Sequence, residues 1–494
     1  MYIFRFITLS VFSLFLFAAN AQSLNNETLY RPKFHFTPQK GWMNDPNGMI
    51  FLNGQYHLFY QHYPDATVWG PMHWGHATSK DLVDWTHQPI ALFPDSIGMI
   101  FSGSAVLDRN NTSGLGRNGI APLVAIFTQH NMPGEKAGRL DFQNQSIAFS
   151  LDEGKTWTKY AGNPVLKTPN IKDFRDPKVI WHAPTQKWIM NLAVADHIEF
   201  YSSPNLIHWT KESELGKGQF AHGGVWECPD LLPFKVNGQT VWVLLVSMNP
   251  GGPNSGSATQ YMVGDFDGHR FKPFSTQTKW MDYGPDNYAG VTFSNLGERN
   301  ILIGWMSNWN YANLVPTEKW RSALTVPREL NLVQAFANSN TKNVVNDYML
   351  VSNPVKELNA SFIKIISKEN LVPNKIELAD LKVNAIEIEL SNDYNEKLFI
   401  GYDAVKKQFY IDRTNAGISN LHEGFAARPT APRLTTHTLM DLTVLLDKTS
   451  VELFADSGRT VMTALFFPTH PYTKWKLGSK ETISPNSVQL YSFK

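Results

Sequence analysis

Three carboxylic acids stand out in the sequence because each lies close to aromatic residues and to a proline. Asp45 and Asp176 belong to the two Asp-Pro dipeptides of the chain, and Glu227 lies two residues before Pro229. Because proline favours extended backbone in the residue before it, we expect both aspartates on strand ends or turns rather than in helices. Carboxyl groups in apolar surroundings can differ in pKa, and a pair with one ionised and one protonated member suits the cleavage of a glycosidic bond.

The residue before the second acid indicates how its charge is set. Arg175 precedes Asp176, and a guanidinium beside a carboxyl group favours the ionised form of that group. A structural role stays open for each acid taken alone, since Asp-Pro-Asn-Gly is a good turn sequence and Arg-Asp pairs are common. The functional interpretation rests on the occurrence of all three acids together, in order, with their aromatic neighbours.

The motifs around these acids resemble those of glycoside hydrolase family 32, the β-fructosidases, which include invertases, inulinases, levanases and fructan exohydrolases. The motifs that carry the resemblance are, in chain order, Trp42-Met-Asn-Asp-Pro-Asn-Gly48, Phe101-Ser-Gly-Ser104, Phe174-Arg-Asp-Pro177 and Trp226-Glu-Cys-Pro229. The similarity covers nearly all of the mature chain through three further segments, Gly304-Trp-Met-Ser-Asn-Trp309, Arg321-Ser-Ala-Leu-Thr-Val-Pro-Arg328 and Ser450-Val-Glu-Leu-Phe454.

The resemblance implies a role for each acid. Asp45 is the nucleophile, Glu227 the general acid/base, and Asp176 a transition-state stabiliser that holds fructose hydroxyls. This retaining reaction passes through a covalent fructosyl-enzyme and asks for the Asp45 and Glu227 carboxyls to lie ~5–5.5 Å apart. The substrate-binding positions that match the family are Asn44, Gln61, Trp69, Phe101, Ser102, Arg175 and Trp309.

For several other residues near these motifs the sequence leaves the role open or argues against a role in metal binding. Cys228, next to the third acid, is either a thiol that tunes this acid or a small buried filler. Tyr283 and Asp286 are expected to line the same funnel. We expect no cofactor and no metal: His73 and His76 have a metal-binding spacing, but no cluster of further ligands accompanies them in the sequence.

Short strands joined by tight turns are expected to position these residues. Asn53-Gly54 and Asn237-Gly238 each separate two strand-like runs, which predicts two hairpins because both residue types tolerate positive φ. Trp85, Trp157 and Trp209 are each followed by Thr and close a polar turn after such a run. This recurrence predicts a repeated β-unit. The Asp-box that ends at Trp157 favours propeller blades in the same way.

The chain is therefore predicted to be all-β. A five-bladed β-propeller, with its number of blades implied by the resemblance, is expected over residues 28–335. An Asn-rich linker is predicted at residues 336–349, and alternating strands beyond it predict a C-terminal β-sandwich over residues 350–494. The sandwich is either a rigid packing partner or a carbohydrate-binding or dimerising domain.

Composition and charge exclude several classes of protein. Of the 494 residues 43% are hydrophobic, which supports a large core, and 44 Lys and Arg balance 43 Asp and Glu. No nucleic-acid partner is expected from this balance, since such surfaces carry clustered positive charge. The single cysteine excludes an intrachain disulfide framework and a Cys-based zinc site.

The first residues predict export. Residues 1–21 combine Arg5, an apolar run and the small-x-small sequence Ala19-Asn-Ala21, which is typical of a signal peptide cleaved before Gln22. An uncleaved membrane anchor is the alternative. No later segment is long enough to span a membrane, so we expect a periplasmic or extracellular protein. The oligomeric state is left open.

The expected partner is a fructan or sucrose. The resemblance implies release of terminal fructose from β-2,6 or β-2,1 fructans, with some action on sucrose. Asp230-Leu231 after the third motif is more similar to the exo-acting inulinases and levanases than to the invertases. A sucrose-preferring invertase, a fructosyltransferase, an endo-acting enzyme and a non-catalytic fructan-binding protein are the alternatives. Inverting three-acid propeller hydrolases lack the Trp42–Gly48 motif in this form.

Overall fold

The computed structural model describes residues 26–335, 347–365 and 371–494. The predicted signal peptide, residues 1–21, and residues 336–346 of the predicted linker lie outside the described residues. The described helices are short: α1 (Asn26–Tyr30), α2 (Met132–Lys136) and two 3₁₀ turns (Lys356–Ser361 and Pro485–Ser487). Among the described residues, no helix has the length and apolar character needed to cross a membrane.

Five sheets, antiparallel except for one two-residue strand, follow one another along the first part of the chain. The first contains β1 (Gly41–Leu52), β2 (Gln55–Tyr63), β3 (His73–Ser79) and β4 (Trp85–Leu92), and the second β5 (Met99–Leu107), β6 (Leu123–His130), β7 (Gln143–Ser150) and β8 (Thr158–Lys159). The third contains β9 (Phe174–His182), β10 (Lys187–Val194), β11 (His197–Ser203) and β12 (Thr210–Leu215). The fourth contains β13 (Val225–Val236), β14 (Gln239–Asn249), β15 (Ala258–Phe266), β16 (Phe271–Pro273) and β17 (Lys279–Trp280).

The fifth sheet completes a ring. It contains β18 (Tyr288–Thr292), β19 (Asn300–Met306), β21 (Ala323–Leu324), β22 (Arg328–Gln334) and β23 (Tyr348–Pro354), while β20 (Trp320–Arg321) pairs in parallel with β1. The first strands of the five sheets, β1, β5, β9, β13 and β18, contact one another in a closed circle. The predicted five-bladed propeller is confirmed, and both Asn-Gly hairpins form, between β1 and β2 and between β13 and β14.

The three Trp-Thr recurrences are one turn used three times, between the third and fourth strands of the first three sheets. In each, the indole N–H donates to the carbonyl oxygen three residues earlier: Trp85 to Leu82 (3.2 Å), Trp157 to Gly154 (3.1 Å) and Trp209 to Leu206 (3.1 Å). All three carbonyl residues have positive φ. The predicted repeated unit therefore corresponds to the propeller blade.

Two further sheets form the C-terminal sandwich. One contains β24 (Phe362–Lys364), β25 (Lys375–Lys382), β30 (Leu439–Leu446), β31 (Ser450–Ala455), β32 (Thr460–Leu465) and β34 (Val488–Phe493). The other contains β26 (Ile386–Ser391), β27 (Lys397–Asp403), β28 (Gln408–Asn415), β29 (Thr430–Pro432) and β33 (Lys474–Ser479). A shared apolar core lies between them, with Ile376, Ile388 and Leu453 among its buried residues.

The boundary predicted at residue 350 falls inside a propeller strand. β23 pairs with β22 along its whole length, and Leu350 packs in the same core cluster as Leu330 and Leu232. The alternation that predicted the sandwich strands does not indicate where the propeller ends, because the sheet that a strand joins is set by its pairing with other strands. The fifth propeller sheet therefore extends to Pro354.

A buried network of charged residues joins the propeller to the sandwich. His35 lies 2.9 Å from Asp447 through Nδ1 and 2.7 Å from Glu452 through Nε2. Arg328 also binds Glu452 and reaches Asp282 through Nη1 (2.8 Å). Burial acts to lower the pKa of His35, but its two carboxylate partners raise it to about 9. The protonated imidazole is thus part of the interface.

Candidate active site

A cavity of about 260 Å³ opens where the first strands of the sheets converge. The three predicted acids and the seven predicted substrate-binding residues line it: Asn44, Asp45, Gln61, Trp69, Phe101, Ser102, Arg175, Asp176, Glu227 and Trp309. The sequence did not predict four more lining residues, His130, Glu135, Gln143 and Asp173. All four lie outside the recognised motifs, although Asp173 directly precedes the motif that begins at Phe174. His130 and Gln143 reach the cavity because β6 and β7 pair in order alongside β5.

Each first strand carries a β-bulge where it reaches the cavity. In every case the first strand advances three residues between two paired positions while the neighbouring strand advances only two, so the first strand has one extra residue. The bulges lie at Met43–Pro46, Ile100–Gly103, Arg175–Lys178, Glu227–Asp230 and Tyr288–Val291. A bulge redirects side chains that the regular pleat would place alternately on the two faces. The five bulges thus lie at the residues whose side chains meet around the acids: Asp45, Ser102, Asp176, Glu227 and Tyr288.

Asp176 departs from the backbone predicted for a residue before proline. Its φ is 63°, in the left-handed region, and Cys228 has a φ of 45°. The bulge in β9 imposes this conformation, and the Asp176 N–H donates to Thr128 Oγ1 (3.0 Å). The sequence argument considered only the proline ring, which disfavours the right-handed helical region but leaves this one accessible to aspartate.

Asp45 is a partly buried carboxylate with neutral donors on both oxygens. Ser102 Oγ donates to Oδ2 (2.6 Å) and Asn44 Nδ2 donates to Oδ1 (3.0 Å). Asn44 is in turn oriented by the Trp42 indole N–H (2.7 Å). Burial raises the pKa of Asp45, while these hydrogen bonds and the Cys228 thiol act in the opposite direction. Ser102 and Asn44 thus fix the position of the carboxyl group, while its pKa stays above the usual value for aspartate.

The prediction that Arg175 favours the ionised form of Asp176 is wrong. Burial raises the pKa of Asp176 to about 7, although the Arg175 guanidinium acts to lower it. The nearest approach of the two groups, Arg175 Nε to Asp176 Oδ2, is 4.0 Å. The Cys228 N–H donates to the same oxygen (3.1 Å). Burial and two neighbouring carboxylates, Asp45 and Glu227, thus outweigh one cation that is shared with other partners.

Glu227 has a donor on each oxygen. Arg175 Nη2 donates to Oε1 (3.0 Å), and the Tyr288 hydroxyl donates to Oε2. Arg175 also donates to Asp173 Oδ1 (2.6 Å), which fixes the guanidinium between the two acids. Burial raises the pKa of Tyr288 far above that of an exposed phenol, so this hydroxyl keeps its proton. The sequence did not single out Tyr288, although it lies two residues after Asp286.

Tyr283 and Asp286 do not line the cavity, contrary to the prediction. Asp286 is fully buried and accepts hydrogen bonds from Arg413 Nη1 (2.7 Å) of the sandwich and from the Tyr311 hydroxyl (2.5 Å). Tyr283 is partly buried against the core of the sandwich. The segment before β18 follows the domain interface, and only Tyr288, at the strand itself, turns to the acids.

Cys228, His73 and His76, which the sequence analysis considered for tuning an acid or binding a metal, make local contacts. The Cys228 thiol lies 3.6 Å from Asp45 Oδ2 and 3.7 Å from Asp176 Oδ2, so it is a buried neighbour of these two acids. His76 is buried and lies 3.2 Å from a ring nitrogen of His57. His73 lies 2.9 Å from the carbonyl oxygen of Pro71. Both histidines therefore have structural contacts in the first sheet.

A closed five-bladed propeller, a C-terminal sandwich and three carboxyl groups in one cavity define the chain as a glycoside hydrolase of the propeller–sandwich type. Residues 35–347 match the N-terminal domain of the glycosyl hydrolases family 32, and residues 336–492 match its C-terminal domain. The chain belongs to glycosyl hydrolase family 32.

Individual relatives agree with this assignment. The chain is 46% identical over 469 residues to a levanase of Bacillus subtilis (strain 168), covering 89% of this chain and 66% of the levanase. It is 38% identical over 510 residues to an extracellular exo-inulinase of Aspergillus awamori, covering 94% and 95% of the two chains. A crystal structure of exo-inulinase from Aspergillus awamori superposes with a TM-score of 0.84 at 36% identity, covering 95% of this chain and 99% of that one.

Proposed function

We propose that this enzyme releases terminal β-D-fructofuranose from levan or inulin, and from sucrose, with retention of configuration. The observation that carries the proposal is the convergence of Asp45, Asp176 and Glu227 from three different blades on one small cavity. Its volume, about 260 Å³, lies below the ~300–1,000 Å³ of sites for drug-sized ligands. A cavity of this size suits one sugar unit at a chain end, and the levanase and exo-inulinase relatives support this substrate class.

The donors around each acid fit the two chemical steps. In the first, the Asp45 carboxylate forms a bond to the anomeric carbon of fructose while the bond to the leaving oxygen breaks, and Glu227 gives its proton to that oxygen. In the second, Glu227 takes a proton from water as the water oxygen attacks the same carbon, and Asp45 is released. Arg175 and Tyr288 stabilise the Glu227 carboxylate that exists between the steps.

The other lining residues hold the sugar in this scheme. Asp176 accepts hydrogen bonds from fructose hydroxyls, while Asn44 and Gln61 supply amide groups to others. Trp69 and Trp309 form apolar walls against the sugar ring, and Trp309 is itself braced by Trp42 at a ring-centroid distance of 6.0 Å. Aromatic faces and directed polar groups are the usual combination in a small-ligand site.

Product analysis on three substrates tests the proposal. Purified enzyme is incubated with levan, inulin and sucrose, and the earliest products are sized by chromatography. Free fructose should be the first product from both polymers. Oligosaccharides as the first products would indicate endo-action, and products longer than the donor at high sucrose would indicate a fructosyltransferase. Binding of fructan without any release of fructose would contradict an enzymatic role.

The mechanism has its own test. Methanol added as acceptor should give methyl β-D-fructofuranoside, because two displacements restore the original configuration. The variants Asp45→Asn and Glu227→Gln should each lower kcat by at least ~100-fold, as expected for loss of a catalytic acid or nucleophile. Formation of the α-anomer, or near-normal turnover by either variant, would contradict the double displacement.

We also propose that the mature enzyme is exported and begins near Gln22. The support is the signal-like sequence of residues 1–21 and the description of several exo-inulinase relatives as extracellular. N-terminal sequencing of the mature protein from the periplasmic and culture fractions of its native host tests this. A start near residue 22 is expected in one of the two fractions, and an intact Met1 in the membrane fraction would instead indicate a retained anchor.

A further inference from the structure

His197 is a buried histidine whose ring faces carboxylates without hydrogen-bonding to them. The residue is 5% exposed, and within the part of the chain that the structure describes neither ring nitrogen makes a hydrogen bond. Nε2 lies 3.5 Å from Glu199 Oε1 and 3.9 Å from Glu214 Oε2. An imidazole that is removed from water without a hydrogen bond loses free energy that a bound ligand can restore.

The strand register brings these side chains to one face of the third sheet. His197 and Glu199 are two residues apart on β11, and Glu199 pairs directly with Glu214 on β12. Side chains at i and i+2, and at directly opposed positions, share one face of a sheet. Two opposed carboxylates repel each other unless a cation lies between them. The two carboxylates beside His197 therefore require a cation, and the Lys211 ammonium group supplies it in this structure.

From this geometry we propose that His197, Glu199 and Glu214 form a binding site for Zn²⁺. Zinc binds histidine nitrogen and carboxylate oxygen at ~2.0–2.2 Å in a tetrahedron, whose corners are ~3.4 Å apart. The separations of 3.5 Å and 3.9 Å between His197 Nε2 and the two carboxylates are close to that edge length. The donor atoms of all three residues lie within 4.8 Å of one another. Water completes the fourth position.

Lys211 is the competitor for this site. Its ammonium group contacts Glu199 Oε1 and lies 3.1 Å from Glu214 Oε2. The side chain is 44% exposed, so it can move into solvent when a metal ion binds. Zinc and Lys211 are thus alternative counter-ions for the same carboxylates, and removal of the lysine charge should favour the metal.

The site lies close to the strand that carries Glu227 but outside the catalytic cavity. Ala195, two residues before His197, accepts the backbone N–H of Trp226 through its carbonyl oxygen (2.8 Å). The ring of His222 stacks on Trp226 at a centroid distance of 5.1 Å. Zinc would therefore stabilise the start of β11 and its contact with β13, which is a stabilising role rather than a step of the hydrolysis.

Isothermal titration of ZnCl₂ into the tag-free, chelator-treated full chain tests the proposal, with thermal unfolding as a second readout. We expect one Zn²⁺ per chain and a higher unfolding temperature when zinc is bound. His197→Gln and the more exposed Glu214→Gln should each weaken binding by at least ~10-fold, the loss that accompanies removal of a supporting group at many metal sites. Lys211→Met should bind zinc more tightly than the wild type.

The matched control is His269→Gln. The His269 side chain is 52% exposed and pairs with a single carboxylate, Glu212 (2.7 Å), so its replacement should leave zinc affinity unchanged. Mg²⁺ and Ca²⁺, which prefer oxygen ligands, should not compete for the site. Absence of zinc binding by the wild type, or wild-type affinity in both His197→Gln and Glu214→Gln, would overturn the proposal. An unchanged affinity in Lys211→Met would do so as well.

Discussion

Glu227 is held at both oxygens, and its two donors have different functions. Arg175 belongs to the cavity and can contact the sugar, whereas Tyr288 does not line the cavity and reaches only the carboxylate. Arg175 follows from the family motif. Tyr288 could not be found in that way, because its contact depends on a bulge in β18 that brings the fifth blade to the acids of the fourth.

Tyr288→Phe should therefore lower kcat and leave KM almost unchanged. A hydrogen bond to a charged group contributes ~1.5–3 kcal/mol, so we expect a loss in kcat of ~10-fold or more. Steady-state kinetics on sucrose separate the two parameters. Tyr311→Phe is the control, since Tyr311 donates to the buried Asp286 at the domain interface. It should reduce stability but not kcat, and an equal loss of kcat in both variants would contradict a positioning role for Tyr288.

Asp176 reduces stability at neutral pH. Its pKa is raised to about 7 by burial, so the folded protein holds this proton more tightly than the unfolded chain. Between ~pH 4 and ~pH 7 the stability therefore falls as the pH rises. Asp176→Asn removes this cost. We expect it to be inactive yet to unfold at a higher temperature than the wild type at ~pH 8, with the gain vanishing near ~pH 4.

Asp447→Asn is the matched control, with the opposite sign. Burial acts to raise the pKa of Asp447, but the hydrogen bond and charge of His35 lower it overall. Its ionised form therefore adds stability above the unfolded pKa, and this stability is lost as the pH falls. The variant should be destabilised at neutral pH. Calorimetric scans across the pH range give the unfolding temperature of each variant relative to the wild type. A shift of the same sign in Asp176→Asn and Asp447→Asn at neutral pH would contradict this account.

The five bulges in the first strands of the blades bring the side chains of the candidate active site together. Hairpins, blades and the identity of the acids could be predicted, because Asn-Gly turns, Trp-Thr turns and ordered motifs are local signals. The bulges could not, since each is defined by a mismatch of register with a neighbouring strand. Asp176 shows the consequence: a rule for one dipeptide predicted extended backbone, and the pairing of β9 with β10 produced positive φ.

Gly103→Ala tests the bulge of β5. A Cβ at this position would lie 2.1 Å from the carbonyl oxygen of Ile126, so the strand must shift and move Ser102 away from Asp45. We expect a loss of kcat/KM together with a destabilisation of at least ~1 kcal/mol, typical of a local clash. Activity and chemical unfolding are measured together.

Gly478→Ala is the companion variant for this test. Gly478 lies in β33 of the sandwich, and the nearest atom to an added Cβ is 3.8 Å away. Its kcat/KM should equal that of the wild type. If Gly103→Ala kept full activity despite a loss of stability, the bulge would not be needed to place Ser102.

The two domains are joined by charges as well as by apolar contacts. His35 has a pKa of about 9, above the ~6.5 of an exposed imidazole, so the folded state binds its proton more tightly. The stability from this residue is complete below ~pH 6.5 and is lost as the pH rises through about 9. His35→Gln should remove most of this pH dependence and lower the free energy of unfolding at neutral pH by about 3 kcal/mol.

Urea unfolding between ~pH 6 and ~pH 10 measures the effect. The wild type should lose stability over the alkaline half of this range, and the variant should give a flatter profile from a lower starting value. Parallel profiles would show that His35 does not titrate in the interface. None of this network was predicted from the sequence, because His35 and its partner Asp447 are 412 residues apart.

That separation has a consequence for how the chain is made. The backbone N–H groups of Lys33 and Phe34 also donate to Asp447, so the segment before β1 is anchored by the turn between β30 and β31. During synthesis this segment is made before the propeller, but its partner Asp447 is made only after all five blades. The segment before β1 therefore reaches its final place late, when the propeller and much of the sandwich have already been translated.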